Sequence, residues 1–230
     1  MTSILKRGFG SKAAAKQNIL AFVICVALGF VALQIPFTHI IGTTRSFTLF
    51  DLLAPAMGAL WGMTVGLASV LFINLFNLVM TGDYSTGALI RLVPVLFGVY
   101  YFARRSRASA WVGIVCMVLF IAHPVGRQAW MYSLYWLIPL FTQLLGRKNA
   151  ALSALGATFT QHAVGGVAFL YAYSFTPAYW KALIPVVAGE RLVLAIGITV
   201  SYVVLQSVVS ALKLRVPGFQ KARSFLGMNS

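Results

Sequence analysis

Long apolar runs, bounded by charged, glycine or proline residues, fill most of this 230-residue chain. A bilayer core about 30 Å thick needs about 20 apolar residues per helix, so the length allows roughly six to eight spans. No series of amphipathic strands is visible, and the runs therefore predict an all-α integral membrane protein, a compact bundle of transmembrane helices. Eight runs qualify: 18–36, 47–60, 63–80, 88–103, 109–123, 128–145, 150–174 and 188–212.

The two runs within 47–80 are separated by a turn rather than joined. One continuous helix of that length would measure about 51 Å, which is too long for a single span. A hairpin near Trp61 and Gly62 resolves this difficulty. Gly58 and Gly66 lie four residues on either side of Gly62, so they would let the two antiparallel halves approach closely.

The basic residues set the orientation of the predicted bundle. Eight spans place both termini and 13 of the 18 Lys and Arg residues on the cytoplasmic side of the cell membrane. Basic tails, 1–17 and 213–230, would then flank the bundle at 18–212. The cytoplasmic residues are Lys6, Arg7, Lys12, Lys16, Arg104, Arg105, Arg107, Arg147, Lys148, Lys213, Arg215, Lys221 and Arg223.

Composition supports the membrane assignment. The chain is 60% hydrophobic and 9% charged, unlike a soluble domain. Its net charge of +15 lies in short clusters between apolar runs, where cytoplasmic loops carry it, so nucleic-acid binding is not expected. The basic tails either only set the topology or also lie on anionic lipid headgroups.

Several polar residues fall on the predicted outer side, where they could line one cavity. Ionisable groups at membrane depth are costly and usually face a bundle interior or a wet cavity. Gln161 joins this group, with aromatic walls from Tyr132, Tyr135 and Trp136. Six residues are predicted to bind a small molecule: Asp51, Asn74, Asn77, Arg91, His162 and Glu190.

Each of these residues also has a purely structural interpretation. The two asparagines of the third run would join helices by hydrogen bonds. Glu190 would pair with Arg191, and His162 would be a packed histidine with its hydrogen bonds satisfied. Arg91 would extend its guanidinium to the outer headgroups. The residues are therefore candidates because they share one side, not because of any one alone.

A stripe of small residues marks one face of the first helix. Ala21, Cys25 and Gly29 recur at four-residue spacing, which suits close contact with a partner helix inside or outside this chain. The only other cysteine, Cys116, also lies in an apolar run. Two isolated cysteines indicate neither a disulfide framework nor a metal site.

Motifs for catalysis are absent from the sequence. There is no HExxH, no GxSxG and no Walker A loop, and only three carboxylates and three histidines are available. We therefore expect no enzymatic activity, no cofactor and no metal. An ATP-driven process would need its ATPase on another chain.

The segment FTLFDLLAPAMGALWGMTVGLASVLFINLFNL, residues 47–78, resembles the substrate-binding S-components of energy-coupling-factor (ECF) vitamin transporters. The resemblance extends to IPF at 35–37, LIRLVPVLFGVYYF at 89–102 and IPVVAGERLVLAIGI at 184–198. Members of that family usually have six helices, so a hairpin at 109–145 would be an insertion.

The resemblance implies a subunit that captures a vitamin or similar micronutrient from the outer side. It also implies a transmembrane coupling subunit, contacted by small residues of the first helix, and cytoplasmic ATPases. Two alternatives stay open. One is a membrane enzyme acting on a lipid or isoprenoid through His162, Glu190 and Arg191; the other is a non-catalytic scaffold.

Overall fold

The structure, a computed structural model, describes residues 2–39, 46–104, 106–146 and 149–211. In these ranges the chain is almost entirely helical. Its α-helices are α1 (Thr2–Leu33), α2 (Leu49–Trp61), α3 (Met63–Thr81), α4 (Thr86–Arg104), α5 (Arg107–Ala122), α6 (Pro124–Gln128), α7 (Ile138–Gly146), α8 (Ala150–Ala172) and α9 (Pro177–Ala211). A 3₁₀ helix, Trp130–Leu137, joins α6 to α7, and two short strands, β1 (Pro36–His39) and β2 (Ser46–Thr48), precede α2.

The described residues include four helices that are long and apolar enough to cross a membrane. They are Ala15–Leu33, Met63–Thr81, Thr86–Arg104 and Pro177–Ala211. Large apolar side chains such as Ile19, Met80 and Ile196 are mostly exposed on the outside of the bundle. Because such a surface suits hydrocarbon better than water, the chain is an all-α, multi-pass membrane protein.

The predicted turn at Gly62 is confirmed. Gly62 has a φ of 95°, a conformation that favours glycine, and it separates α2 from α3. The two helices then fold back on each other so closely that a Cβ on Gly66 would collide with the backbone of Gly58. With 13 residues, α2 is about 20 Å long, shorter than a bilayer core.

The first helix differs from its prediction at both ends. It ends at Leu33, and Pro36 begins β1, which pairs with β2 in an antiparallel hairpin. The residue before a proline is biased toward extended backbone, which favours this early end. At its other end α1 extends back to Thr2, through the predicted tail 1–17. The predicted tail 213–230 lies outside the described residues, as do Arg105, Arg147 and Lys148.

The prediction of one continuous span over 128–145 is wrong. Pro139 lies in the first turn of α7 and has no N–H, so it cannot donate to the Tyr135 carbonyl as an α-helix requires. That carbonyl instead accepts from the N–H of Ile138, which is a 3₁₀ hydrogen bond. The segment is therefore divided into the end of α6, the 3₁₀ helix and α7.

The predicted start of the last span, residue 188, is also wrong. The helix begins at Pro177, where a proline is favourable, and continues through Pro185 in its interior. Beside that proline, the Ile184 carbonyl accepts a hydrogen bond from the Tyr135 hydroxyl at 2.9 Å. As a result Glu190 lies roughly 20 Å along α9 rather than at its end.

Helix α8 forms the centre of the bundle and packs against α4, α5, α7 and α9. Its Gly156 leaves room for Tyr101 of α4 and Thr142 of α7. The Tyr101 hydroxyl donates to the Pro139 carbonyl at 2.6 Å and lies 2.8 Å from the Thr142 hydroxyl. These buried bonds fix the relative positions of α4, α7 and α8.

The small-residue stripe of α1 packs within the chain. Ala21, Cys25 and Gly29 are all buried. A Cβ on Gly29 would meet Ile73 of α3 and Phe50 of α2, so the stripe allows these helices to approach α1 closely. Contact between the same stripe and another chain stays a prediction.

Candidate functional site

A cavity of about 690 Å³ lies at one end of the bundle. Its lining comes from the N-terminal halves of α2, α4 and α9 and the C-terminal halves of α3 and α8, together with β2 and the 3₁₀ helix. These helix halves meet at the same end because consecutive helices alternate in direction. The C-terminal ends of α4 and α7 and the N-terminal ends of α5 and α8 lie at the opposite end.

All six residues predicted to bind a small molecule line this cavity. They are Asp51 of α2, Asn74 and Asn77 of α3, Arg91 of α4, His162 of α8 and Glu190 of α9. Gln161 and Tyr132 line it as well, whereas Tyr135 and Trp136, predicted as aromatic walls, are not among the lining residues. The structure thus brings the candidates together, and their roles in binding stay predictions.

Asp51 has a structural role at the start of α2. Its carboxylate accepts a hydrogen bond from the N–H of Thr48 at 2.8 Å and another from the Thr48 hydroxyl at 3.3 Å. A carboxylate in this position stabilises the N-terminus of a helix. Arg91 and Arg191 both lie close enough to act on the Asp51 charge. Asp51 therefore links the helix start to the charged part of the cavity.

Glu190 and Arg191 form a nearly buried ion pair. The Arg191 Nη2 donates to the Glu190 Oε2 at 3.1 Å, and the two side chains are only 8% and 13% exposed, with arginine the more buried. The guanidinium also lies over the Phe47 ring of β2, 5.1 Å from its centroid. The arginine thus contacts an acid and an aromatic ring at the cavity wall, as the structural interpretation of Glu190 predicted.

His162 is held by two hydrogen bonds that fix its protonation. The Trp136 indole N–H donates to Nδ1 at 3.0 Å, and since an indole can only donate, Nδ1 carries no proton. The proton of the neutral ring is then on Nε2, which donates to the Tyr132 hydroxyl oxygen at 2.7 Å. Both ring nitrogens are therefore occupied within the protein. His162 orients Tyr132, whose own O–H proton is left to donate elsewhere.

Buried donors without a hydrogen-bond partner are concentrated at the cavity. Seven buried side-chain N or O atoms of the described chain have no partner within the protein. Four belong to lining residues, and all four are nitrogens: Asn74 Nδ2, Gln161 Nε2, Trp180 Nε1 and Arg191 Nε. Each such atom costs about 1–3 kcal/mol of desolvation that nothing within the protein offsets.

A row of aromatic rings forms another part of the lining. Phe169 at the end of α8 stacks on Tyr173 at 5.6 Å, and Phe175 stacks on Tyr179 of α9 at 4.4 Å. Tyr173 and Phe175 are 5.6 Å apart, which joins the two pairs into one row. Such a wall suits the flat, apolar face of an organic molecule.

Sequence reasoning missed two parts of this lining. Phe175, Tyr179 and Trp180 fell between predicted spans, although Pro177 is a typical first residue of a helix and marks the true start of α9. The strand β2 was assigned to the second span. Its signal was the run of Thr, Ile and Phe on both sides of Gly42, which is typical of a hairpin.

Comparison with known proteins identifies no relative, since no family model, curated protein or solved structure matches this chain. Within the described ranges, no group of three or more His, Cys, Asp or Glu residues is placed to hold a metal ion.

Proposed function

We propose that this chain is a membrane-embedded substrate-binding subunit that takes up a vitamin or a similar small micronutrient from the outer side. The observation that carries the proposal is the cavity, which gathers six polar candidates and four unpaired buried donors inside an apolar bundle. Its volume of about 690 Å³ is in the range of small-molecule sites. Polar groups this costly at membrane depth usually serve a ligand.

The proposal includes an orientation. The predicted topology has six to eight spans in the cell membrane, with both termini in the cytoplasm. The C-terminal ends of α4 and α7 and the N-terminal ends of α5 and α8 lie at the end of the bundle opposite the cavity, where the sequence is basic, and basic loops are normally cytoplasmic. The cavity then opens to the outside, where a nutrient arrives.

Cysteine labelling tests this orientation. Cys25 and Cys116 are buried, so they give little background. A cysteine replacing the exposed Tyr84, between α3 and α4, is expected to react with a membrane-impermeant maleimide added to intact cells. A cysteine replacing the exposed Arg104 is expected to react only after the cells are opened. The reverse pattern would refute the orientation.

Uptake is proposed to need partners. The sequence has no phosphate-binding glycine loop with a lysine, so energy from ATP would come from cytoplasmic ATPases through a coupling subunit in the membrane. The resemblance of residues 47–78 to ECF S-components supports the same arrangement.

The enzyme alternative has less support from the geometry. The two nitrogens of His162 already bond Tyr132 and Trp136, so neither is available as a general base without breaking a bond. Glu190 is held by Arg191. A scaffold without a ligand would give no reason for four unpaired donors around one cavity.

A binding experiment tests the function. A small molecule that co-purifies with the chain would be identified by mass spectrometry and its affinity measured for alanine variants of the six candidate residues. Loss of a hydrogen bond to a buried ligand is expected to weaken binding about 5- to 150-fold. A residue that only joins helices would lower the thermal unfolding midpoint and leave affinity unchanged.

The matched control is Gln143→Ala. Gln143 is buried and its Oε1 has no partner, yet it does not line the cavity. This variant is expected to keep full affinity. If all six alanine variants also keep full affinity, the cavity is structural and the proposed function is wrong.

A further inference from the structure

Two donor-only groups of the cavity lining each have a buried N–H without an acceptor in the described part of the protein. Trp180 is 2% exposed and Arg191 is 6% exposed, and both line the cavity. The indole Nε1–H and the guanidinium Nε–H have no acceptor within the protein. Neither side chain can turn to present an acceptor instead, unlike the amides of Asn74 and Gln161. Whatever satisfies Trp180 and Arg191 must therefore be an acceptor.

Tyr132 supplies a third donor on the same wall. Its oxygen accepts from His162, so its O–H proton is left to donate to another acceptor. The Tyr132 ring lies 5.0 Å from the Trp180 ring. Tyr132 lies on the 3₁₀ helix beside Trp180, and Arg191 lies about three turns further along the same face of α9.

The charges of the lining indicate what kind of acceptor fits. Three acids, Asp51, Asp83 and Glu190, line the cavity with two arginines. Arg191 is already paired with Glu190, and Arg91 acts on Asp51. An anionic group at Arg191 would lie beside the Glu190 carboxylate, which repels it. A cationic group such as an ammonium donates hydrogen bonds, so it could not accept from Trp180, Tyr132 or Arg191.

We propose, on the basis of the binding function above, that the ligand is an uncharged ring compound that presents carbonyl oxygens or ring nitrogens to Trp180, Tyr132 and Arg191. The flat ring packs on the aromatic row of Phe169, Tyr173 and Phe175 with Tyr179. The Nε1 of Trp180 and the Nε of Arg191 are shielded from water, so small side-chain rotations accompany binding.

Matched sets of water-soluble compounds test this inference. Each set shares one ring, such as pyridine, pyrimidine or a fused bicycle, and carries an acetyl, a carboxylate or an aminomethyl group. The acetyl member is an uncharged acceptor, and the other two are an anion and a cation of similar size. Binding to the purified full chain is measured as a shift in the thermal unfolding midpoint and as a dissociation constant.

We expect the acetyl members to bind most tightly. Trp180→Phe, which keeps the ring and removes the N–H, is expected to weaken their binding about 5- to 150-fold. Trp111→Phe is the control, because Trp111 is 58% exposed and does not line the cavity. Its affinity is expected to equal that of the unsubstituted chain.

The outcomes separate this inference from the function on which it rests. Tightest binding of the carboxylate or the aminomethyl members, or unchanged affinity in Trp180→Phe, would overturn the inference and leave the binding function standing. If no compound of any class binds and no small molecule co-purifies, both the inference and the binding function fall.

Discussion

Replacing Gly66 with leucine is expected to destabilise the protein by about 3 kcal/mol or more and to abolish ligand binding. A Cβ at this position would collide with the backbone of Gly58 rather than with a flexible side chain, so α2 and α3 would have to separate. Asp51 is on α2, and Asn74 and Asn77 are on α3. Separating these helices therefore moves three residues of the cavity lining.

A second glycine provides the control. Gly189 lies within α9, and a Cβ added there meets no atom within 4 Å. Gly189→Ala should raise the free energy of unfolding by about 0.5–1 kcal/mol, because alanine favours a helix more than glycine does. The thermal unfolding midpoint is thus expected to fall in Gly66→Leu and to rise in Gly189→Ala. An unchanged midpoint in Gly66→Leu would show that α2 and α3 do not pack at these glycines.

Much of the helical framework follows from the sequence. The runs predicted at 63–80, 88–103 and 150–174 agree with α3, α4 and α8 to within a few residues. Their ends are marked by a glycine turn, by arginines and by Asn149, whose side chain accepts from the N–H of Leu152 at the start of α8. Local signals such as these determine where a helix ends without contacts from the rest of the fold.

Two of the wrong span predictions involve proline. Pro139 breaks the expected span at 128–145, whereas Pro185 is tolerated inside α9. The local chemistry of the two prolines is the same, and what differs is the surrounding structure. The Tyr135 hydroxyl, 49 residues away in sequence, bonds the Ile184 carbonyl and so holds this part of α9 against the 3₁₀ helix. A pattern confined to one segment cannot supply that contact.

The candidate site, like the fold, could be predicted only in part from the sequence. The common location of the six polar residues follows from the order of the helices, because antiparallel neighbours bring alternate ends together. The hydrogen-bond partners of these residues do not follow from the order of the helices. The Trp136–His162–Tyr132 chain and the unpaired Nε1 of Trp180 depend on side-chain positions. Sequence reasoning could thus identify a polar end of the bundle, but not which of its groups still need a hydrogen-bond partner.

Replacing Arg191 alone with methionine is expected to lower the free energy of unfolding by about 3–5 kcal/mol. The substitution leaves the Glu190 carboxylate nearly buried without the guanidinium that lies 3.1 Å away. The double variant Glu190→Gln with Arg191→Met removes both charges, so most of the lost stability should return. Thermal unfolding of the single and double variants measures this difference.

Ligand affinity in the double variant then separates stability from binding. If Arg191 or Glu190 contacts the ligand, the double variant is expected to be stable and still to bind about 5- to 150-fold more weakly, because the groups that bond the ligand are changed. If the ion pair only holds the fold, the double variant should recover affinity together with stability. Equal stability of Arg191→Met and the unsubstituted chain would contradict the buried pairing itself, since an unpaired carboxylate at this depth cannot be without cost.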